Sequence, residues 1–162
     1  MSAVTLRPYV PADAPHLAAL YFRTVHTVCA GDYSPAELDA WASAPPDAAV
    51  WNASFLAHRT LVAEVDGVIA GFADMAEDGY LDRLYVSADH QRRGVASALC
   101  DALEAACAAP VFITHASITA KGFFLKRGYQ VVRAQQVERC GVLLTNFVMH
   151  KRRIAQAGGS PC

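Results

Sequence analysis

Gln91-Arg92-Arg93-Gly94-Val95-Ala96 sets two guanidinium groups beside a glycine at the junction of two differently patterned segments. Before it, Tyr80–Val86 alternates as a β-strand does. After it, Val95, Leu99, Ala102, Leu103 and Ala106 make one helical stripe, with Ser97, Asp101 and Glu104 on the opposite face. A helix begins with unpaired N–H groups and the positive end of its dipole, so this turn suits an anion. Gly94 lets a ligand come close to the backbone, and Arg92 and Arg93 add charge. The chemistry implied is binding of a phosphate-bearing ligand, although a plain strand–helix connection would use the same glycine. Neither the nucleoside-triphosphate pattern G-x-x-x-x-G-K-[ST] nor the dinucleotide pattern G-x-G-x-x-G occurs. Within the strand, Asp82 shares the face of Tyr80, Leu84 and Val86 by alternation. A carboxylate there is costly unless it is paired or used. It is a candidate general base, an ion-pair partner of a nearby Lys or Arg, or a counter-ion for a substrate ammonium.

The elements around this junction read as follows. Val4–Tyr9 is a strand stopped by prolines, and Asp13 caps a helix bearing Leu17, Leu20, Tyr21, Val25 and Val28 that ends at Gly31. Ser34-Pro35-Ala36-Glu37 is a capping box for a short helix to about Trp41. Ala44–Ala49 is a loop, and Trp51–His58 a further short helix. Thr60–Val65 and Val68–Met75 form a hairpin about Asp66-Gly67, and Glu77-Asp78-Gly79 turns into the central strand. Past the central helix, Val111–Ala116 should pair parallel to the central strand through a right-handed crossover. Ser117 caps a helix over Ile118–Lys126 closed by Gly128. Tyr129–Glu138 and Val142–His150 are strands about Cys140-Gly141, and Lys151–Cys162 is a polar tail expected to fray. The fold class is mixed α/β (α+β), with one domain over residues 1–150.

A chain of 162 residues with 54% hydrophobic and 18% charged residues is a folded globule. Its formal net charge of −1 supplies no global field for nucleic acid or an anionic membrane. No apolar run reaches a membrane span, and the N-terminus lacks a signal-peptide layout, so a cytoplasmic location is expected. The five cysteines form no metal-binding spacing. Free thiols are expected, with Cys100 and Cys107 packing on the helix and no metal called for. His115 reads as a satisfied interior histidine.

The segment Gln91–Ala96 resembles the Q/R-x-x-G-x-G/A signature of the GCN5-related N-acetyltransferases (GNAT), with Ala96 in place of the last glycine. LDRLYV before it resembles that family's fourth strand. Ser117-x-x-Ala120-x-x-x-Phe124-x-x-x-Gly128-Tyr129 is similar to a second family pattern, N-x-x-A-x-x-x-Y-x-x-x-G-F. GDYSPAELDAWA looks like a bacterial subgroup of the family. The resemblance spans Val4 to about His150. It implies a central, mostly antiparallel sheet flanked by helices, with a splayed parallel strand pair.

It further implies acetyl-CoA as cosubstrate. Its pyrophosphate would be held by the amides and side chains of Gln91, Arg92, Arg93, Gly94, Val95, Ala96 and Ser97. Its pantetheine arm would lie against the backbone of Leu84, Tyr85 and Val86, with Ser117 and Phe124 beside it. Direct attack by an amine is implied, with Asp82 as base and the N–H of Val86 or Leu84 as donor to the acetyl oxygen. The acceptor is a small-molecule amine or a protein amino group. Its pocket walls would include His26, Asp32, Tyr33 and Trp41 between the first helices. Phe124 replaces the family's proton-donating tyrosine, so water, or Tyr33, Tyr85 or Tyr129, would serve the thiolate, or no acid is needed. Family members are often dimers, so a homodimer is a further expectation. The rival readings are a non-catalytic acyl-CoA-binding module and a protein-interaction domain using an exposed sheet edge.

Overall fold

The computed structural model describes residues 3–153. Seven strands form one sheet: β1 Val4–Pro8, β2 Arg59–Val65, β3 Val68–Met75, β4 Tyr80–Val86, β5 Val111–Ser117, β6 Gln130–Arg139 and β7 Val142–Arg152. Their spatial order is β1-β2-β3-β4-β5-β7-β6. Every neighbouring pair is antiparallel except β4 and β5. The helices are α1 Ala14–Thr27, α2 Pro35–Trp41, α3 Ala48–Ala57, α4 Val95–Ala106 and α5 Ile118–Lys126. No helix among the described residues is long and apolar enough to cross a membrane.

Turn chemistry fixes the hairpins. Asp66 and Gly67 take φ of 54° and 76°, and Cys140 and Gly141 take 49° and 79°. Two successive left-handed residues match the twist of antiparallel strands. The Ser34 hydroxyl accepts from the Glu37 amide at 3.2 Å, and the Glu37 carboxylate accepts from the Ser34 amide at 2.8 Å, which closes the expected box. Asp13 behaves otherwise. Its carboxylate turns back to the Val10 N–H at 3.0 Å and takes the Arg7 guanidinium in two bonds of 2.8 and 2.9 Å, leaving α1 without a side-chain cap. A charged fork outcompetes a neutral amide for that carboxylate. α1 ends at Thr27, and a 3-10 turn, Val28–Gly31, carries the chain to the glycine. α3 starts at Ala48, inside the expected loop, because the Asp47 carboxylate caps the amides of Ala49 and Val50. β7 runs to Arg152, so Lys151 and Arg152 are strand residues instead of tail, and Lys151 bonds Glu104 at 2.7 Å. The rest of the expected tail lies outside the described residues.

Apolar side chains bury both sheet faces. Met75, Leu81, Leu99, Leu103, Phe112, Phe124 and Met149 join α4 and α5 to one face. Leu17, Leu20, Phe55, Val62 and Phe72 join α1 and α3 to the other. A smaller cluster about Val25, Leu38 and Leu144 seats α2 on β7.

Two irregularities shape the middle of the sheet. β4 and β5 pair only at Tyr80–Ile113 and Leu81–Thr114, and beyond these the two strands part. Opposite, Met75 pairs with Leu81 and Asp74 with Arg83, so one step on β3 spans two on β4 and Asp82 has no ladder partner. This is a β-bulge, and it reverses the face assignment along β4. Leu81 faces α4 before it. Leu84 and Val86 face α4 after it, while Tyr85 packs toward α1. The alternation that grouped Asp82 with Leu84 and Val86 is therefore corrected: the bulge separates them.

Candidate active site

The strand-to-helix turn keeps its anion-binding features exposed. Ser87 accepts from the Asp89 amide at 3.2 Å, and Gln91 donates to the carbonyls of Val86 and Ser87 at 2.8 and 3.3 Å. The chain then passes through two left-handed residues, Arg92 at φ 62° and Gly94 at φ 79°. Gly94 is the N-cap of α4, and no side chain caps this helix. The amides at its start, around Val95, Ala96 and Ser97, are left for water or a ligand. A Cβ on Gly94 would meet nothing within 4 Å, so the space before those amides is open. Arg92 and Arg93 are exposed and form no ion pair among the described residues.

From this turn the β5-facing edge of Leu84, Tyr85 and Val86 runs back, unpaired, to the point where β4 and β5 meet. There the Thr114 hydroxyl donates to the Leu81 carbonyl at 3.0 Å and closes the cleft. Asp82 stands at this closed end. Its side chain is 35% exposed, against 0% for Asp74 on the neighbouring strand. Arg83 grips Asp74 through Nε at 3.0 Å and Nη2 at 2.7 Å, and the same Nη2 reaches Asp82 at 3.3 Å. His58 bonds Asp74 through Nδ1 at 2.7 Å, and since a carboxylate only accepts, Nδ1 carries the proton. Burial raises the Asp82 carboxyl above the usual carboxylate range; Arg83 opposes this and Asp74 adds to it. His58, Asp74 and Asp82 lie close enough for one cation. The guanidinium Nη2 already bridges the two carboxylates, so a metal ion would have to displace it.

Other groups share the Asp82 side. Tyr80 packs edge-on to His115 with ring centroids 5.4 Å apart, and His115 is exposed on the cleft face, which corrects its reading as an interior histidine. Ser117, Asn146 and Gln135 lie in register across β5, β7 and β6. The Asn146 Oδ1 is buried with no hydrogen-bond partner among the described residues. Arg139 shares the face of Leu144 and acts electrostatically on Tyr21 and Tyr80. Arg83 and Asn146 carried no motif; only the sheet register brings them to the site.

The remaining predicted residues form a separate wall. The Tyr33 hydroxyl donates to the Thr145 carbonyl at 2.7 Å and accepts from the Ile118 amide at 2.9 Å. Asp32 accepts from the Thr119 hydroxyl at 2.8 Å. Trp41 packs on Tyr33 at 5.3 Å, and His26 bonds the Ala42 carbonyl at 2.7 Å. Tyr33 and Asp32 are tied to α5, Trp41 to Tyr33 and His26 to the residue that ends α2, and none is bonded to Asp82 among the described residues. Ser117 caps α5 through the Ala120 amide at 3.0 Å. Phe124 is buried between Phe123 and Tyr129, whose hydroxyl donates to Glu104 at 3.1 Å. Both Tyr33 and Tyr129 thus have their hydroxyls engaged, and Tyr85 is turned toward Tyr21 and Phe72. Burial pushes the Cys100 thiol up to about 12, which leaves it an inert packing group.

An uncapped helix start and an opened parallel strand pair are the defining features of the site. A family model described as the acetyltransferase (GNAT) domain matches residues 29–151, and the chain belongs to that family. It is 36% identical over 149 residues to YafP, an uncharacterised N-acetyltransferase of Escherichia coli strain K12, spanning 92% of this chain and 96% of that one. A GCN5-related N-acetyltransferase from Rhodopseudomonas palustris superposes with a TM-score of 0.88 at 38% identity, covering 94% and 97% of the two chains. The fold also matches YncA of Salmonella typhimurium, solved with its cofactor acetyl-CoA, with TM-score 0.69 at 19% identity over 99% of this chain and all of that one. PaiA of Thermoplasma acidophilum, in complex with coenzyme A, gives 0.73 at 16% identity, covering 93% and 99%.

Proposed function

We propose that the protein transfers the acetyl group of acetyl-CoA to a primary amine, on a small molecule or a protein, by direct attack. The observation that carries this reading is the edge of β4 left without a strand partner from the Asp82 bulge to the open start of α4, on which Gln91 takes the Val86 carbonyl. An extended pantetheine arm suits that edge as an added strand would, and the pyrophosphate suits the amides beyond Gly94. YncA, solved with acetyl-CoA, and PaiA, solved with coenzyme A, share the fold and support acetyl-CoA as the ligand.

The acceptor nitrogen attacks the thioester carbonyl, a C–N bond forms and the C–S bond breaks. The attacking amine is neutral, and Asp82, directly or through water, takes the one proton that the nitrogen sheds as the amide forms, a role its raised proton affinity favours. An N–H of Leu84 or Val86 stabilises the carbonyl oxygen as charge develops there. With Phe124 unable to donate, the sulfur leaves as thiolate. For a thiol of pKa about 8.5 this costs roughly 2 kcal/mol at pH 7, small against the barrier reductions enzymes achieve. The engagement of Tyr33 and Tyr129 favours one other reading, a module that binds acyl-CoA and does not turn it over.

Calorimetric titration with acetyl-CoA, desulfo-CoA and ADP, followed by thiol release over an amine panel, tests both. Binding with release supports the transferase. Binding without release across small amines and peptides supports the module, and absence of binding sinks both.

A further inference from the structure

Asp74 is a fully buried carboxylate with three short bonds, two from Arg83 and one from His58. The guanidinium it holds lies 4.9 Å from the Trp51 ring centroid and 4.6 Å from that of Phe55, and also bonds the Ser54 hydroxyl. Packed against two rings that meet edge to face, and forked onto a carboxylate, Arg83 has little freedom. Its one remaining contact is the longer one, to Asp82 at 3.3 Å, across the β4 bulge that brings the two neighbouring side chains together. The charge count is unequal, because two carboxylates share one guanidinium. The third short bond, from His58, also goes to Asp74. The short bonds place the guanidinium's compensation on Asp74, so the surplus rests on Asp82, the member of the set that reaches the cleft.

We propose that Arg83 is a positioning residue for Asp82, and that Asp74 and His58 act through it. The buried set fixes the Asp82 carboxylate at the closed end of the splayed strands through one long contact that compensates it only in part, leaving it able to take the proton of the incoming amine. This rests on the reading of Asp82 as base. The charged and titratable groups around Asp82 are Arg83 and Tyr80 from β4, Asp74 from β3, His58 between α3 and β2, and His115 from β5.

The test is the acidic limb of the kcat/KM profile against pH, in full-length protein with acetyl-CoA and the best amine of the panel. Asp74→Asn frees the guanidinium to neutralise Asp82, so the limb moves to lower pH by about one unit; Arg83→Gln removes the cation and moves it up by a similar amount. Each single variant leaves a buried group unmatched. The double variant Asp74→Asn/Arg83→Gln removes both charges together and preserves the fold. Its limb stays near that of the wild type, while kcat falls about tenfold and KM for acetyl-CoA holds, because orientation alone is lost. Arg83→Lys keeps the charge without the fork and gives the same split. Unmoved limbs in both single variants, or wild-type kcat in the double variant, overturn the positioning role even where Asp82→Asn abolishes the limb. A limb that survives Asp82→Asn overturns the base assignment itself, and the positioning role with it.

Discussion

Asp82 and Tyr33 entered as candidate catalytic groups, and their surroundings now separate them. Asp82 is held by a single long contact and has a raised proton affinity, whereas both hydrogen-bonding sides of the Tyr33 hydroxyl are in use. Asp82→Asn is expected to lower kcat by about a hundredfold or more at neutral pH, with acetyl-CoA affinity kept in calorimetry. Its stability should move the other way. A carboxyl raised on folding binds its proton more tightly in the folded state, so stability falls as pH climbs from the usual carboxylate value through the raised one. Asparagine removes that loss, and the melting temperature above the window should be unchanged or higher. Tyr33→Phe leaves the Thr145 carbonyl and the Ile118 amide unmatched, at a cost of about 1–3 kcal/mol in urea unfolding. A kcat that falls far beyond the loss of folded protein would return Tyr33 to the chemistry. The sequence exposed Asp82 because a charge in a strand pattern is conspicuous. It hid Arg83, since an arginine next to an aspartate reads as surface until the register places Asp74 opposite.

At the scale of elements, the turn into α4 was the most legible part of the chain, because glycine, arginine and helical periodicity are all local signals. Gly94→Trp should weaken acetyl-CoA binding at least tenfold. The open space at its Cβ means that the loss falls on the ligand, while a side chain at φ 79° costs the fold about 1–2 kcal/mol. Gly79 is the opposite case. A Cβ there would stand 2.4 Å from the Val111 carbonyl oxygen, and its φ is 93°. Gly79→Ala should cost the fold about 2 kcal/mol or more in denaturant unfolding and disturb the docking of β5 on β4. Hairpins, the α2 capping box and the α5 cap were readable from residue types. The β4 bulge was not, because an extra residue is visible only against the strand it faces, and it misdirected the faces of Asp82, Leu84 and Val86. Asp13 misled for a similar reason: its competing partner, Arg7, belongs to another element.

At the scale of the molecule, alternation of strands and helices predicted one mixed sheet, and the order of the elements placed β5 parallel to β4. The grouping of Ser117, Asn146 and Gln135 stayed hidden, because cross-strand pairing joins residues far apart in the chain. The Tyr33 hydroxyl carries a consequence at this scale. It ties the segment between α1 and α2 to β7 and to the first amide of α5, so the wall proposed for the acceptor cannot swing outward without baring that amide. Deuterium uptake at Ile118 therefore clocks the breathing of the wall. Uptake should slow when a bound acceptor presses the wall shut and quicken in Tyr33→Phe. A rate indifferent to both would mean that the latch stays closed throughout turnover, and that acceptors enter and leave through the open mouth between β4 and β5.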